Sequence, residues 1–518
     1  MKPAKKCNTL SKASRNKLIM HTTLGATLIM LAITSYILDP VYLIAKYQLR
    51  FARGTKFYDL LKADEIQGAY VSAYLFNVTN EKEFLSGQDH QLKVQEVGPF
   101  TYQEKRINKN FELDEELQEL RYNPYITATF VPEMSIGDPA DFNVTLPNPV
   151  LLAASTTMST YSFWSQIALN ILTKRYESKA LLTKRVQDFL WGYDEPLLAL
   201  GNTVMPGWIN FRKMGFLDRL YDNTRPYKIE LSVNDEDKFK IKRVNGVSGL
   251  ACWNYENPSL RTRCNSFEDV YEGFSYPPGL TPETPIRIYR NVFCRILELD
   301  YAYTKTVDYG PEGYLYKISN RTYTMNPDKK CLCNRLGCVD GLSDLSPCFY
   351  GFPFMLSNAH FYGADPKVHE RLDGIAPVEE KHGGSFLVEW KLGTALMTSM
   401  TFQLNIPVGD VSFNKEVKPF SNMTIPIVYF LVTQPELADN VKTAFWFIYV
   451  AGPYTMLAVE ILLFTTGLSL LAFTTRSFFW NLYMNETSIG FQVAKTPNKL
   501  NCELPLITDK EQLYQCVS

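Results

Sequence analysis

Histidine is scarce in this chain. Five occur in 518 residues (His21, His90, His360, His369 and His382), and none stands at a fixed spacing from a candidate nucleophile. GxSxG, HExxH and GxxxxGK[ST] are absent, so the local patterns of hydrolases, zinc proteases and phosphate-loop enzymes are missing. Adjacent acids such as Glu379-Glu380 read as a solvated turn. The chain therefore reads as a non-enzyme, and no catalytic residue or cofactor is implied. A basic surplus is lacking too, with 53 Lys and Arg against 54 Asp and Glu. Nucleic-acid binding displaces counterions and needs that surplus, so nucleic acid is excluded as a general partner. Internal repeats and low-complexity linkers are missing, and 46% hydrophobic content with 21% charge excludes disorder. One large domain fits better than a string of small ones.

What is present begins at the termini. Residues 1–17 carry six Lys or Arg and no acid, and Leu18–Leu38 then runs 21 residues without Asp, Glu, Lys or Arg. That length crosses a bilayer as an α-helix. A cleaved signal peptide shares the basic-then-apolar order, but this run is long for one and no small-x-small site clearly follows it. Near the other end only Glu460 interrupts the 33 residues between Lys442 and Arg476. Gly452-Pro453 is expected where an outer segment meets the membrane helix. Glu460 is either a functional intramembrane carboxylate or a protonated or snorkelling side chain near the interface. The positive-inside rule puts both ends in the cytosol. The expected division is 1–17 cytosolic, 18–38 transmembrane, 39–448 lumenal or extracellular, 449–475 transmembrane and 476–518 cytosolic tail.

Seven of ten cysteines fall in the outer segment: Cys252, Cys264, Cys294, Cys331, Cys333, Cys338 and Cys348. An oxidising compartment favours disulfides there, and an odd number leaves one thiol over. The run from Cys331 to Cys348 has zinc-ligand chemistry but no common zinc-module spacing, so no metal is assigned. Sequons at Asn77, Asn143, Asn320 and Asn422 lie in the segment that the topology exposes to glycosylation. A further sequon at Asn485 falls in the expected cytosolic tail and should stay bare.

Tyr227–Ser232, Lys238–Val244, Gly313–Ser319, Ser385–Leu392, Thr401–Val408 and Ile425–Val432 combine β-branched and aromatic residues with partial alternation and read as strands. Helical period is clearest from Leu151 to Leu190. Trp164, Ile167, Ala168, Ile171 and Leu172 form one stripe, and Leu182, Val186, Phe189 and Leu190 a second. Both stripes are expected to pack inward. Lys174, Arg175 and Lys179 lie beside them, either as a basic docking patch or, for the first two, as compensation of a helix dipole.

Several segments then become familiar. Val97-Gly-Pro-Phe-Thr-Tyr102, Met134-Ser-Ile-Gly137, Asp141-Phe-Asn-Val-Thr145, Phe189-Leu-Trp-Gly-Tyr193, Phe293-Cys-Arg295, Gly341-Leu-Ser-Asp-Leu-Ser-Pro-Cys348, His360-Phe-Tyr362 and Glu379-Glu-Lys-His382 occur in one order. In that order, between two terminal spans, they resemble the class B scavenger receptor family, the family of fatty-acid translocase and lysosomal integral membrane protein type 2, from Leu18 to about Arg476. The resemblance implies an α+β fold: a large antiparallel β-barrel-like ectodomain with an apical helical bundle and an internal tunnel, flanked by two transmembrane helices. It implies disulfides Cys264–Cys331, Cys294–Cys348 and Cys333–Cys338, with Cys252 left over. It also places Lys174, Arg175 and Lys179 near the ligand-facing basic patch.

The function so implied is capture of lipids or lipoprotein-type particles and passage of lipid through the tunnel to the membrane. A shielded path suits a cargo whose every methylene costs about 0.8 kcal/mol to expose to water. Two other classes share the topology. One is a protein-binding adhesion or lysosomal sorting receptor, with protein ligands at the apex. The other is a two-span ligand-gated channel, for which Thr465, Thr466, Gly467 and Ser469 are the polar candidates. The tail holds Tyr514-Gln-Cys-Val517, a tyrosine-type signal pairing Tyr514 with Val517, and Leu506-Ile507 after Glu503, which resembles an acidic dileucine signal. Both would recruit clathrin adaptors and direct the protein between plasma membrane and endosomal-lysosomal membranes.

Overall fold

The computed structural model describes residues 12–204, 211–234, 237–319, 322–323, 339–349 and 351–493. The chain divides into two compact units, one of residues 1–44 and 445–518, the other of residues 45–444.

The first unit is built on two long helices, α1 (Lys12–Leu38) and a C-terminal helix, Gly452–Val493. Both are long and apolar enough to cross a membrane. Their apolar side chains are largely uncovered, as at Met30, Ile37, Leu462 and Phe479, which separates them from core helices of a soluble protein. The second span begins earlier, with a helical turn at Asp439–Trp446 and a π-helical stretch at Phe447–Ala451. Pro453 explains the wide turn. Its ring lacks an N–H and crowds the carbonyl four residues back, at Tyr449. The helix does not stop near Arg476 but continues to Val493.

In the second unit twelve strands follow one path of hydrogen bonding: β1 (Ile66–Val78), β2 (Leu92–Asp114), β3 (Glu119–Phe130), β4 (Ile229–Ser232), β5 (Ile241–Val244), β6 (Val270–Tyr271), β7 (Ile286–Arg290), β8 (Arg295–Thr306), β9 (Glu312–Ile318), β10 (Ser385–Glu389), β11 (Thr394–Val408) and β12 (Met423–Thr433). Their order is β6-β7-β8-β9-β10-β11-β12-β1-β2-β3-β4-β5. All neighbours are antiparallel except β6 and β7. The two open ends, β5 and β6, meet through an antiparallel bridge between Lys240 and Tyr271. The sheet is thus nearly closed, which removes most of the unpaired edge that an open sheet would expose. The first and last strands in the chain pair near its centre, where Val71 of β1 lies opposite Val432 of β12. Phe76, Phe100, Tyr122, Phe386 and Phe430 are fully buried within it. All six segments read as strands from sequence lie on strands of this sheet, with shifted ends.

Helices α2 (Pro149–Ser159) and α3 (Phe163–Arg175) follow the third sheet strand. Buried Asn148 caps α2, its Oδ1 accepting from Val150 N (3.1 Å) and Leu151 N (3.2 Å), with Pro149 pre-set for the first turn. Two helical expectations need correction. Leu182 lies in a short strand, Leu181–Arg185, paired with Asn143–Pro147 in the register Leu182↔Leu146. A partner strand outweighs local period there, and only Val186, Phe189 and Leu190 stay helical. The second correction is the α3 stripe. Trp164, Ala168 and Ile171 face outward, while Leu169 and Thr173 are buried. Polar bonds set this choice. Asn170 Nδ2 donates to Phe413 O (2.7 Å) and Asn414 Nδ2 to Thr173 Oγ1 (3.2 Å), fixing the opposite face of α3 on the 411–417 loop.

Candidate functional site

A cavity of about 280 Å³ opens inside the sheet. Its walls come from β1, β2, β3, β4, β7, β11 and β12, and Val71, Phe274, Phe293, Met400, Phe402 and Val432 make them largely apolar. It is nearly twice the roughly 150 Å³ that holds a benzene and stands near the roughly 300 Å³ lower bound of ligand pockets. Charge is confined to one cluster. Arg106 donates to Glu272 Oε1 at 2.6 Å, Tyr122 also bonds Glu272, and Tyr221 OH donates to Glu104 Oε1 at 3.0 Å. Burial raises the Glu104 carboxyl above its ordinary range, against the bond from Tyr221. Burial likewise lowers Arg290, whose Nη1 donates to Glu272 O at 2.6 Å. Gly273, at φ +101°, lets the chain pass this guanidinium; a Cβ there would stand 3.2 Å from Arg290 Nη1.

A second cavity, of about 240 Å³, shares Ile126, Leu220, Tyr221, Tyr227, Asn291 and Val292 with the first. Its wall continues to Cys294, Cys348 and Phe349. Cys294 and Cys348 form a disulfide with Cα atoms 6.2 Å apart, as the resemblance implies. Cys264 is also disulfide-bonded. Cys331, Cys333 and Cys338 lie outside the described residues, as do Asn320, Leu506, Ile507, Tyr514 and Val517. Cys252 is a free, half-buried thiol.

Lys174 and Arg175 occupy the last turn of α3, where they complement its dipole. Both are exposed, as is Lys179, and none of the three has an ion-pair partner among the described residues. On the same helix Trp164 is 76% exposed, Phe163 68% and Ile171 61%. The outward stripe therefore joins an apolar patch to unpaired cations. Asn143 and Asn422 are exposed, whereas Asn77 is half-buried on β1 with its Oδ1 accepting from Thr145 N at 2.8 Å.

Sequence spacing offered no reason to group His360 with His382, yet their rings stack at 4.2 Å beside Glu96. His360 Nε2 bonds Glu96 Oε2 at 2.9 Å, and Tyr429 OH donates to the same oxygen at 2.8 Å. Burial opposes the Glu96 charge, but these hydrogen bonds outweigh it and hold the carboxyl below its ordinary range. Two histidines and a carboxylate suggest a metal, but the hydrogen bonds argue otherwise. Nδ1 of His360 accepts from Ala376 N (3.1 Å) and Nδ1 of His382 from Val378 N (2.9 Å). Each neutral ring then carries its proton on Nε2, the nitrogen that would have to face a cation. The trio is a hydrogen-bond cluster of two buried histidines against an exposed carboxylate, and it pins residues 376–378.

Residues 23–478 match the model of the CD36 family. Scavenger receptor class B member 1 of Sus scrofa is 25% identical over 383 residues, 72% of this chain and 72% of that protein. Lysosome membrane protein 2 of Homo sapiens is 27% identical over 374 residues, 70% of this chain and 73% of its own length. These relatives carry the names of receptors and membrane proteins, in keeping with the two terminal spans. With a match that runs from inside the first span into the second and takes in the whole sheet between them, the chain belongs to the CD36 family.

Proposed function

We propose that this protein is a two-pass class B scavenger receptor that captures lipid or lipid-bearing particles and passes lipid through its ectodomain to the membrane. The observation that carries this reading is the apolar cavity inside the nearly closed sheet, adjoined by a second cavity. On this reading the two are segments of one conduit. The helices α2 and α3 form its apex. Trp164, Phe163 and Ile171 insert among lipids there while Lys174, Arg175 and Lys179 meet anionic headgroups. No reaction is involved. Both termini are cytosolic, Asn77, Asn143, Asn320 and Asn422 carry glycans, Cys264–Cys331 and Cys333–Cys338 complete the disulfides, and Tyr514/Val517 and Leu506/Ile507 recruit clathrin adaptors. Mass spectrometry of lipids copurified with the full chain tests the central claim. Stoichiometric lipid is expected, lost from a cavity-filling variant; a lipid-free wild-type protein that transfers nothing between vesicles would overturn it.

A second reading is favoured by the same outward stripe. Exposed Trp164 and Ile171 suit a protein partner as well as a lipid surface, and one relative is named lysosome membrane protein 2. Reversing Lys174, Arg175 and Lys179 separates the two: a protein ligand lost with vesicle transfer intact supports a sorting receptor. A channel has less support. Thr465 and Ser469 turn their hydroxyls onto their own helix, at Ile461 O (2.8 Å) and Thr465 O (2.8 Å), and Gly467 lies against α1.

A further inference from the structure

The free thiol of Cys252 is not isolated. Its sulfur and those of Cys294 and Cys348 all lie within 4.8 Å of one another. Two of the three are bonded to each other, so the group is not a metal-ligand set; it has the composition of a thiol–disulfide exchange centre, an attacking thiol beside a disulfide.

The surroundings keep the attacking thiol and Cys294 together. Cys252 precedes Trp253 and Cys294 precedes Arg295, and the Arg295 guanidinium lies over the Trp253 ring at 4.5 Å. Both of those side chains are buried, so the segments bearing Cys252 and Cys294 are held together independently of any disulfide. Cys348 sits in a turn, its N–H bonded to Leu345 O at 2.9 Å and followed by Phe349 on the cavity wall, and Arg295 also donates to Asp344 O four residues before it.

We propose that Cys252, Cys294 and Cys348 form an exchange site in which Cys252 displaces Cys348 from Cys294. The deprotonated Cys252 sulfur attacks Cys294 Sγ, the Cys252–Cys294 bond forms, and the Cys294–Cys348 bond breaks. Its electron pair leaves on Cys348, which takes up a proton equivalent to the one lost by Cys252. No oxidant or reductant is consumed. Because Cys294 and Cys348 both line the second cavity, the exchange removes a covalent tie between two parts of that wall. The proposal stands apart from any cargo of the cavity, since its readouts are covalent.

Burial pushes the Cys252 thiol up to about 11, with the Arg295 charge pulling against it. The thiolate is therefore rare at neutral pH, and the rate should rise about tenfold per pH unit up to that range. A small disulfide such as oxidised glutathione would trap the exchanged form, one half bonding Cys348 and the other leaving as the thiol.

The test is non-reducing peptide mapping of the full-length protein in detergent after thiol alkylation, at pH 7 and pH 9, with and without oxidised glutathione. Expected is a Cys252–Cys294 peptide paired with alkylated or glutathionylated Cys348, faster at pH 9 and absent from Cys252→Ser. Cys348→Ser, held in mixed oxidised and reduced glutathione, should form Cys252–Cys294 directly. Finding Cys252 fully alkylated and Cys294–Cys348 intact at both pH values would overturn the proposal, as would Cys348→Ser protein with both remaining sulfurs alkylated. If Cys348→Ser does not fold, the wild-type maps decide alone.

Discussion

Ser35 Oγ donates to Glu460 Oε1 across 3.0 Å, tying the first terminal helix to the last. Glu460 is thus held by a partner on the other span rather than standing alone in an apolar stretch. A glycine pair farther along brings the same helices close: a Cβ on Gly467 would stand 2.7 Å from Ile29 Cγ1 and 2.8 Å from Gly25 O.

Two strengths of contact follow for this pair. Ser35→Ala should weaken it by only about 0.6 kcal/mol, typical of a polar contact between membrane helices. Gly467→Leu should part the helices and lower the detergent denaturation midpoint far more. Equal loss in both variants would show that the hydrogen bond, not the close approach, holds the pair.

Cavity-facing Val432→Phe should lower vesicle-to-vesicle lipid transfer several-fold while moving Tm by no more than a few degrees. The added ring has the cavity of about 280 Å³ to enter, so the roughly 1–3 kcal/mol of overpacking in a filled core is largely avoided. Undiminished transfer by a folded variant would count against a route through this cavity.

Trp164→Ser combined with Lys174→Glu, Arg175→Glu and Lys179→Glu should weaken binding to anionic vesicles by tenfold or more, leaving Tm within about 0.5 kcal/mol equivalent because exposed side chains are replaced. Wild-type binding should itself fall between low and physiological salt. Vesicle flotation measures both.

The His382 imidazole is lowered to about 4 by burial first and then by the neighbouring His360. Its neutral form is favoured in the fold, so this stability is fully present above the unfolded value of about 6.5 and is lost as pH falls toward 4. The ring is buried, and at about 1.4 kcal/mol per pKa unit a few kcal/mol is at stake. Protonated Nδ1 would also face the Val378 N–H that it now accepts. His382→Gln should flatten the pH dependence of unfolding between 7 and 4.5; an unchanged slope would remove His382 from the account of acid sensitivity.

Much of the site was illegible in sequence for a specific reason. His360 and Glu96 are 264 positions apart, and no local spacing reports a contact made by sheet pairing. The α3 stripe was visible as a period, but a period names two faces without choosing between them. Asn170 and Thr173, which look unremarkable in sequence, made the choice by bonding the 411–417 loop.

By itself the sequence determined what depends on neighbours along the chain. Two apolar runs long enough to span a bilayer, β-forming segments and the chemistry of an oxidised outer domain can all be read without knowing what touches what. Only the tertiary structure decided how the sheet returns on itself at Lys240 and Tyr271, which face of α3 meets water, and which sulfur stands beside a disulfide. Those outcomes depend on contacts between distant segments, where burial and satisfied hydrogen bonds compete across the whole domain and a local pattern is only one contributor.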